Sequence, residues 1–301
     1  MRVAAVDCGT NSIRLLVRDL PGAELHREMR IVRLGEGVDS TGSLAPQALS
    51  RTKDALEEYA ATCARLQVER IRMVATSATR DASNRADFVA MVVAVLGVEP
   101  EVVSGDEEAA LSFRGATADL DPVAGPFLVM DIGGGSTELV LGTTAVEAAR
   151  SVDVGCVRLT ERHLVDDPPT AAQVIAATAD VDTALRAALE VVPAGRARTA
   201  IGLAGSVTTV AAIALGLAAY DPTAIHLSRV SATDVHRITA DLLAMRRADR
   251  AKMAVMHPGR VDVIAGGALV LDRAVTLLSL AEVVVSESDI LDGIALSAGE
   301  S

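Results

Sequence analysis

Two short segments, far apart in the chain, carry the residue types that cradle phosphate. In the first, Val3-Ala4-Ala5-Val6 leads into Asp7-Cys8-Gly9-Thr10-Asn11-Ser12, and the strand-like run Ile13-Arg14-Leu15-Leu16-Val17 follows at once. In the second, Phe127-Leu128-Val129-Met130 leads into Asp131-Ile132-Gly133-Gly134-Gly135-Ser136, followed by Thr137-Glu138-Leu139-Val140-Leu141. An apolar run, a polar turn and a second apolar run read as a β-hairpin with the turn at its tip. Glycine lets backbone N–H groups come close to phosphate oxygens, and Ser, Thr and Asn add further donors. An aspartate at the end of each first strand can hold a divalent cation or its water shell. Candidate phosphate contacts are therefore Gly9, Thr10, Asn11 and Ser12 in one turn, and Gly133, Gly134, Gly135 and Ser136 in the other.

A third element has a different build. Gly202-Leu203-Ala204-Gly205-Ser206-Val207-Thr208-Thr209 follows a strand and opens a helix. Free N–H groups and the positive end of the helix dipole meet there, which suits an anion and adds Gly205 and Ser206 to the candidates.

The elements that must position these turns are legible from periodicity. The first half reads as strands 2–7, 13–19 and 24–33, a helix 46–67, a strand 71–75, a polar loop, a helix 83–96, a short strand at Val102-Val103 and a helix 106–117. Asp121-Pro122 with Gly125-Pro126 is the best linker. The second half restarts with the hairpin 127–142 and a strand 145–152. Helices 157–165 and 170–191, a strand 199–204, helices 206–219, 231–246 and 259–279, a strand 282–286 and a helix 290–298 complete it. Strands gathered first in each half, then mixed with helices, predict two related α/β domains, 1–122 and 123–301.

Composition narrows the chemistry. With 301 residues, half of them hydrophobic, the chain is long enough for two real cores. A net charge of −12 argues against a nucleic-acid binder, and an aromatic content of 2% with no Trp argues against recognition by base stacking. Cys8, Cys63 and Cys156 have no ligand spacing and read as reduced thiols in a cytoplasmic protein, with Cys8 packed rather than reactive. Asp7 interrupts the apolar start, so no signal peptide is expected. The uncharged stretch Thr199–Tyr220 is long enough to cross a bilayer, but its Gly, Ser and Thr content and the closing Asp221-Pro222 fit a buried strand–loop–helix better. No membrane association is expected. The five histidines show no zinc-ligand spacing.

The motifs resemble, in order, those of the exopolyphosphatase / guanosine pentaphosphate phosphohydrolase (Ppx/GppA) family. They are Asp7-Cys-Gly-Thr-Asn-Ser, Arg33-Leu-Gly-Glu-Gly, Ala75-Thr-Ser-Ala-Thr-Arg80, Ser104-Gly-Asp-Glu-Glu108-Ala and Asp131-Ile-Gly-Gly-Gly-Ser-Thr-Glu138. The chain is similar to a short, two-domain, actinobacterial-like member. The resemblance implies two ribonuclease-H-like lobes, as in actin, sugar kinases and heat-shock chaperones, with an active-site cleft between them and the last helix able to pack back on the N-terminal lobe. It implies hydrolysis of a terminal phosphoryl group from polyphosphate, here of short chains, with Mg²⁺ (or Mn²⁺), and a homodimer. Guanosine pentaphosphate or tetraphosphate is the alternative partner. A kinase-like phosphotransferase and a non-catalytic sensor of polyphosphate or alarmones are further readings of the same loops.

Phosphoryl transfer to water needs a held phosphate, charge neutralisation and an oriented water. By resemblance, Asp131 and Glu138, with Asp7 assisting, hold the metal, and Arg80 forks onto phosphate in the transition state. Asn84 either holds that loop or caps a helix. Ser104-x-x-Glu107 has capping-box spacing, which gives Glu107 a structural task. Glu108 has none, aligns with the family's catalytic glutamate, and is assigned to the attacking water. Arg27, Arg30 and Arg33, with Arg14 and Arg18, read either as a basic track for a polyphosphate chain or as a solvated strand face.

Overall fold

The structure is a computed structural model that describes residues 1–299; Glu300 and Ser301, the end of the expected second domain, lie outside the described residues. The chain divides into two compact units. One comprises Met1–Gly115 and the segment from Ile290; the other is Ala116–Asp289.

The first unit is built on a five-stranded sheet in the order β3-β2-β1-β4-β5, with β1 Arg2–Cys8, β2 Ser12–Asp19, β3 Glu24–Ile31, β4 Arg70–Ala75 and β5 Glu101–Val102. β1 pairs antiparallel with β2 and parallel with β4. A strand with neighbours on both edges and helices on both faces must be apolar throughout, and Val3, Ala4, Ala5 and Val6 have no solvent exposure. β3 lies at the edge and is rich in charge, Glu-Leu-His-Arg-Glu-Met-Arg-Ile, which discourages pairing with another chain.

The two faces of this sheet have different cores. One gathers Ile13, Leu15, Leu34, Leu56, Tyr59 and Phe88 around the helices Pro46–Arg65 and Arg85–Leu96. The other joins Ala5, Leu16, Val74, Val103 and Leu111 to Ile290, Leu291, Ile294 and Ala295, so the closing helix Ile290–Ala298 completes the first unit. Asp292 on that helix is buried and accepts from Arg27 Nη2 at 2.6 Å, with Arg18 Nη1 at 4.0 Å.

The second unit repeats the plan. Its sheet runs β10-β11-β9-β6-β7-β8, with β6 Phe127–Ile132, β7 Thr137–Gly142, β8 Val146–Val152, β9 Thr199–Leu203, β10 Arg229–Ser231 and β11 Glu282–Val285. Starting from β8, the order β8-β7-β6-β9-β11 matches β3-β2-β1-β4-β5, and β10 is an added edge. Each unit thus has the ribonuclease-H-like arrangement that the resemblance implies. The helix Ile264–Leu277 is almost wholly buried and is the hub of the unit's core.

The spans follow the hydrophobic pattern closely, with four main differences. The helix expected over 259–279 runs only Ile264–Leu277, because Pro258–Arg260 form a separate helical turn. The loop expected after β4 contains a helical turn, Ser77–Asp81. The helix after β9 is Ala204–Ala214, shorter than periodicity predicts, because Leu215-Gly216 turn the chain. The strand β10 has only three residues, too few for an alternation signal. Ser231 does cap the next helix, accepting from the Asp234 N–H at 3.1 Å. Among the described residues no helix is long and apolar enough to cross a membrane.

Gly293 tests the closing helix. A Cβ there would lie 2.0 Å from the Leu111 carbonyl oxygen, so the two helices touch backbone to backbone. Alanine gains about 1 kcal/mol of helix propensity, but the clash with rigid backbone outweighs it. We expect Gly293→Ala to destabilise the first unit by about 2 kcal/mol net, read as a lower urea midpoint by circular dichroism.

Candidate functional site

In the first unit Asp7 is the next-to-last residue of the central strand, just before the turn. Its carboxylate is buried, and Arg14, directly opposite on β2, donates to Oδ2 from Nε at 2.9 Å and Nη2 at 2.7 Å. The turn that follows is closed by the Gly9 N–H donating to the Ser12 carbonyl at 3.0 Å. The Asn11 carbonyl accepts from the N–H groups of Val32 and Arg33, and the Thr10 carbonyl accepts from Gly35 at 2.8 Å. The Arg33-Leu-Gly-Glu-Gly segment therefore grips this turn.

The Thr10 and Ser77 hydroxyls share a buried hydrogen bond of 2.9 Å, which ties the turn to the short helix after β4. Arg80 lies in the last turn of that helix. Its Nη1 donates to the Val103 carbonyl at 3.0 Å and to Glu108 Oε2 at 3.1 Å. Glu108 is 8% exposed, on the first turn of the helix Gly105–Thr117. Its neighbour Glu107 forms a reciprocal capping box with Ser104: the Ser104 N–H donates to Glu107 Oε2 at 3.4 Å, and the Glu107 N–H to Ser104 Oγ at 3.2 Å. Adjacent glutamates thus have separate tasks, one at the helix end and one on the arginine. Asn84 stands at the N-cap of the helix Arg85–Leu96, but its amide makes no capping bond and pairs instead with the backbone of Leu44, at 2.8 and 3.1 Å.

The second unit has the same turn closure, with the Gly133 N–H donating to the Ser136 carbonyl at 3.0 Å. The carbonyls of Gly133 and Gly134 accept from the N–H groups of Cys156, Val157 and Arg158, and Arg158 Nε donates to the Gly135 carbonyl at 2.8 Å. These bonds hold the turn's carbonyls to the protein. Ser136 is buried.

The hairpin stem differs from that of the first unit. Where Asp7 faces Arg14, Asp131 faces Glu138. Both carboxylates are buried, and the Ser151 hydroxyl donates to Glu138 Oε1 at 2.6 Å. Like charges in a directly opposed cross-strand pair repel, and a hard divalent cation relieves that repulsion. No cluster of three or more His, Cys, Asp or Glu residues suited to a metal occurs among the described residues. Two carboxylates nevertheless fit Mg²⁺, which keeps several waters and takes phosphate oxygens as further ligands.

The third turn begins at Ala204, with a φ of 67°, and Ser206 is buried in the first turn of the helix. A Cβ on Gly205 would lie 2.4 Å from the Arg260 guanidinium carbon, so only glycine lets this arginine lie flat against the loop. Arg260 Nη1 donates to the Gly205 carbonyl and to Thr209 Oγ1, both at 3.3 Å. It sits 6.0 Å from the ring centre of Tyr220. The Tyr220 hydroxyl lies 2.6 Å from Glu287 Oε1 and 2.7 Å from Thr208 Oγ1, and its pKa is pushed up to about 12 by burial and by Glu287. Arg260 escaped the sequence reading. The only signal for it was a basic residue just before a Gly-Gly helix, which has many structural explanations.

The chain matches the model of the Ppx/GppA phosphatase family over residues 18–300. It is 52% identical over 312 aligned residues to Exopolyphosphatase 2 of Mycobacterium tuberculosis, covering 98% of each chain. It is also 38% identical over 172 residues to a guanosine-5'-triphosphate,3'-diphosphate pyrophosphatase of Vibrio cholerae, covering 56% of this chain and 34% of the other. The crystal structure of an exopolyphosphatase-like protein superposes with a TM-score of 0.96 at 44% identity, covering 100% of this chain and 99% of that one.

Two of the three cysteines flank these turns, and burial pushes all three thiols up. Cys8 is raised by burial and by Asp7, Cys156 by burial, and Cys63 to about 11 by burial. At pH 8 a thiol with that pKa is ionised in roughly one molecule per thousand. The native protein should therefore react very slowly with a thiol-specific disulfide reagent at pH 8, and all three cysteines should react promptly once it is denatured. Fast native labelling of Cys8 would show a reactive site in place of packing.

Proposed function

Because the chain belongs to the Ppx/GppA phosphatase family, we propose that it is an exopolyphosphatase, removing terminal orthophosphate from inorganic polyphosphate. The near-full-length likeness to Exopolyphosphatase 2 carries this reading. The Arg80–Glu108 pair, linked through Ser77 to the Gly9–Ser12 turn, supports it with a chemical rationale.

In this reading each hairpin turn has the backbone and hydroxyl donors that suit phosphate oxygens. Glu108 accepts a hydrogen bond from the attacking water and aims its oxygen at phosphorus. Arg80, already beside Glu108, donates to the phosphoryl oxygens as their charge redistributes. The new P–O bond forms as the bridging P–O bond breaks, and the water proton leaves with the released orthophosphate. Asp131 and Glu138 hold Mg²⁺, and the same oxygen donors suit Mn²⁺. The bound cation supplies charge neutralisation at the phosphates. Asp7 holds Arg14 in place through Oδ2, and its other oxygen, Oδ1, would assist at the cation. Guanosine pentaphosphate is the second reading, favoured by the likeness to the Vibrio cholerae enzyme.

Orthophosphate release from both substrates separates these readings, with faster release from polyphosphate expected. Glu108→Gln should lower kcat by roughly 10²–10⁴-fold. Glu107→Gln keeps the capping box, since a glutamine oxygen also accepts from the Ser104 N–H, and should change stability by less than about 0.5 kcal/mol and kcat by less than about twofold. Near-normal turnover in Glu108→Gln with loss in Glu107→Gln would overturn the assignment. Glu138→Gln should raise the half-saturating Mg²⁺ concentration roughly tenfold or more.

A further inference from the structure

A polyphosphate chain longer than the catalytic centre needs cations along its path, and the strand expected to provide them does not. Arg27 is paired with Glu24 and Asp292, and Arg30 with Glu28 and Glu58. Each of these guanidiniums is shared between two carboxylates, so β3 offers little net attraction to an anion.

The second unit carries a different basic segment. Residues 246–260 contain Arg246, Arg247, Arg250, Lys252 and Arg260 against a single acid, Asp249, in a chain whose net charge is −12. Successive hydrogen-bonded turns compact it: Arg250 N–H to the Arg246 carbonyl at 3.0 Å, Met253 to Arg250 at 3.1 Å, Met256 to Met253 at 2.9 Å and Arg260 to His257 at 2.9 Å. Arg247 Nε pairs with Asp262 at 2.7 Å, so the start of the segment folds back beside its end. Val255 and Met256 are buried and anchor it, while Arg246, Arg247, Lys252 and His257 face solvent.

Two features favour an anionic ligand here. Arg246 and Arg260, at the two ends, make no ion pair with a carboxylate among the described residues; Arg260 lies on the third turn at Gly205. Between them Arg250 is 5% exposed, its Nε has no hydrogen-bond acceptor among the described residues, and its one carboxylate, Asp167, also accepts from the Arg247 N–H. The exposed Lys252–Asp249 pair, at 75% and 52% side-chain exposure, is weak enough to exchange for phosphate.

We propose that residues 246–260 form a track for the distal part of a polyphosphate chain, ending at Arg260 beside the third turn. The inference rests on the exopolyphosphatase reading and adds where the rest of the substrate lies.

The test compares tripolyphosphate with long-chain polyphosphate in the wild type and in Arg246→Glu/Lys252→Glu. Both positions are exposed, so folding should survive. The double variant should raise KM for the long chain roughly tenfold and lower the slope of log KM against log salt by about 2. The KM for tripolyphosphate should move less than about twofold, since that substrate has no distal phosphates for the segment to hold. The same charge change at Arg196 and Arg229, elsewhere on this unit, should leave the long-chain KM unchanged. An unchanged long-chain KM in the double variant, or equal changes for both substrates, overturns the track. Binding of long-chain polyphosphate to Glu108→Gln, with and without the charge reversals, reads the segment apart from turnover. Binding that weakens with the reversals, alongside a wild type that releases no orthophosphate, would sustain the track and overturn the hydrolase reading. Binding that is unaffected would overturn the track while hydrolysis stood.

Discussion

A buried carboxylate at the next-to-last position of a central strand is the constraint around which both units are organised. β1 and β6 are apolar because they are enclosed, and each carries a buried aspartate one residue before its end. A charge at such a depth must be balanced locally. In the first unit Arg14 does so from the neighbouring strand. In the second, the equivalent position is Glu138, which doubles the negative charge. The two hairpins thus share backbone and register but differ in the charge that faces the aspartate.

The repetition extends past the hairpins. In each unit the polar turns follow the carboxyl ends of strands at equivalent places in the sheet: after β1, β4 and β5 in one, after β6, β9 and β11 in the other. Parallel strands side by side bring their ends together, so segments distant in sequence meet without long loops. That is why Arg80 and Glu108, 28 positions apart, share a hydrogen bond.

The fold was legible in the sequence where burial was complete or periodic. β1 and β6 show as unbroken apolar runs, and the helix Pro46–Arg65 as a stripe through Leu56, Tyr59 and Cys63. The separation of Glu107 from Glu108 could be read because a capping box has a fixed spacing. Pairing between charges could not be read. Arg27 and Arg30 have the composition of an anion track, yet their neutralising partners, Asp292 and Glu58, come from elements remote in sequence. Arg260 was missed for the converse reason: its importance comes from a glycine 55 positions away that leaves room for its guanidinium. Asn84 shows a third limit, since its partner Leu44 belongs to an irregular segment with no pattern of its own.

The helix Ile290–Ala298 lies on β1, although the whole second unit intervenes between them. During translation, the face formed by Ala5, Leu16, Val74 and Val103 therefore has only Leu111 on it until residues 290–298 have been made. Of the two units, the one that begins first matures last, and its partly covered apolar surface is a natural substrate for holding chaperones while the other is being synthesised.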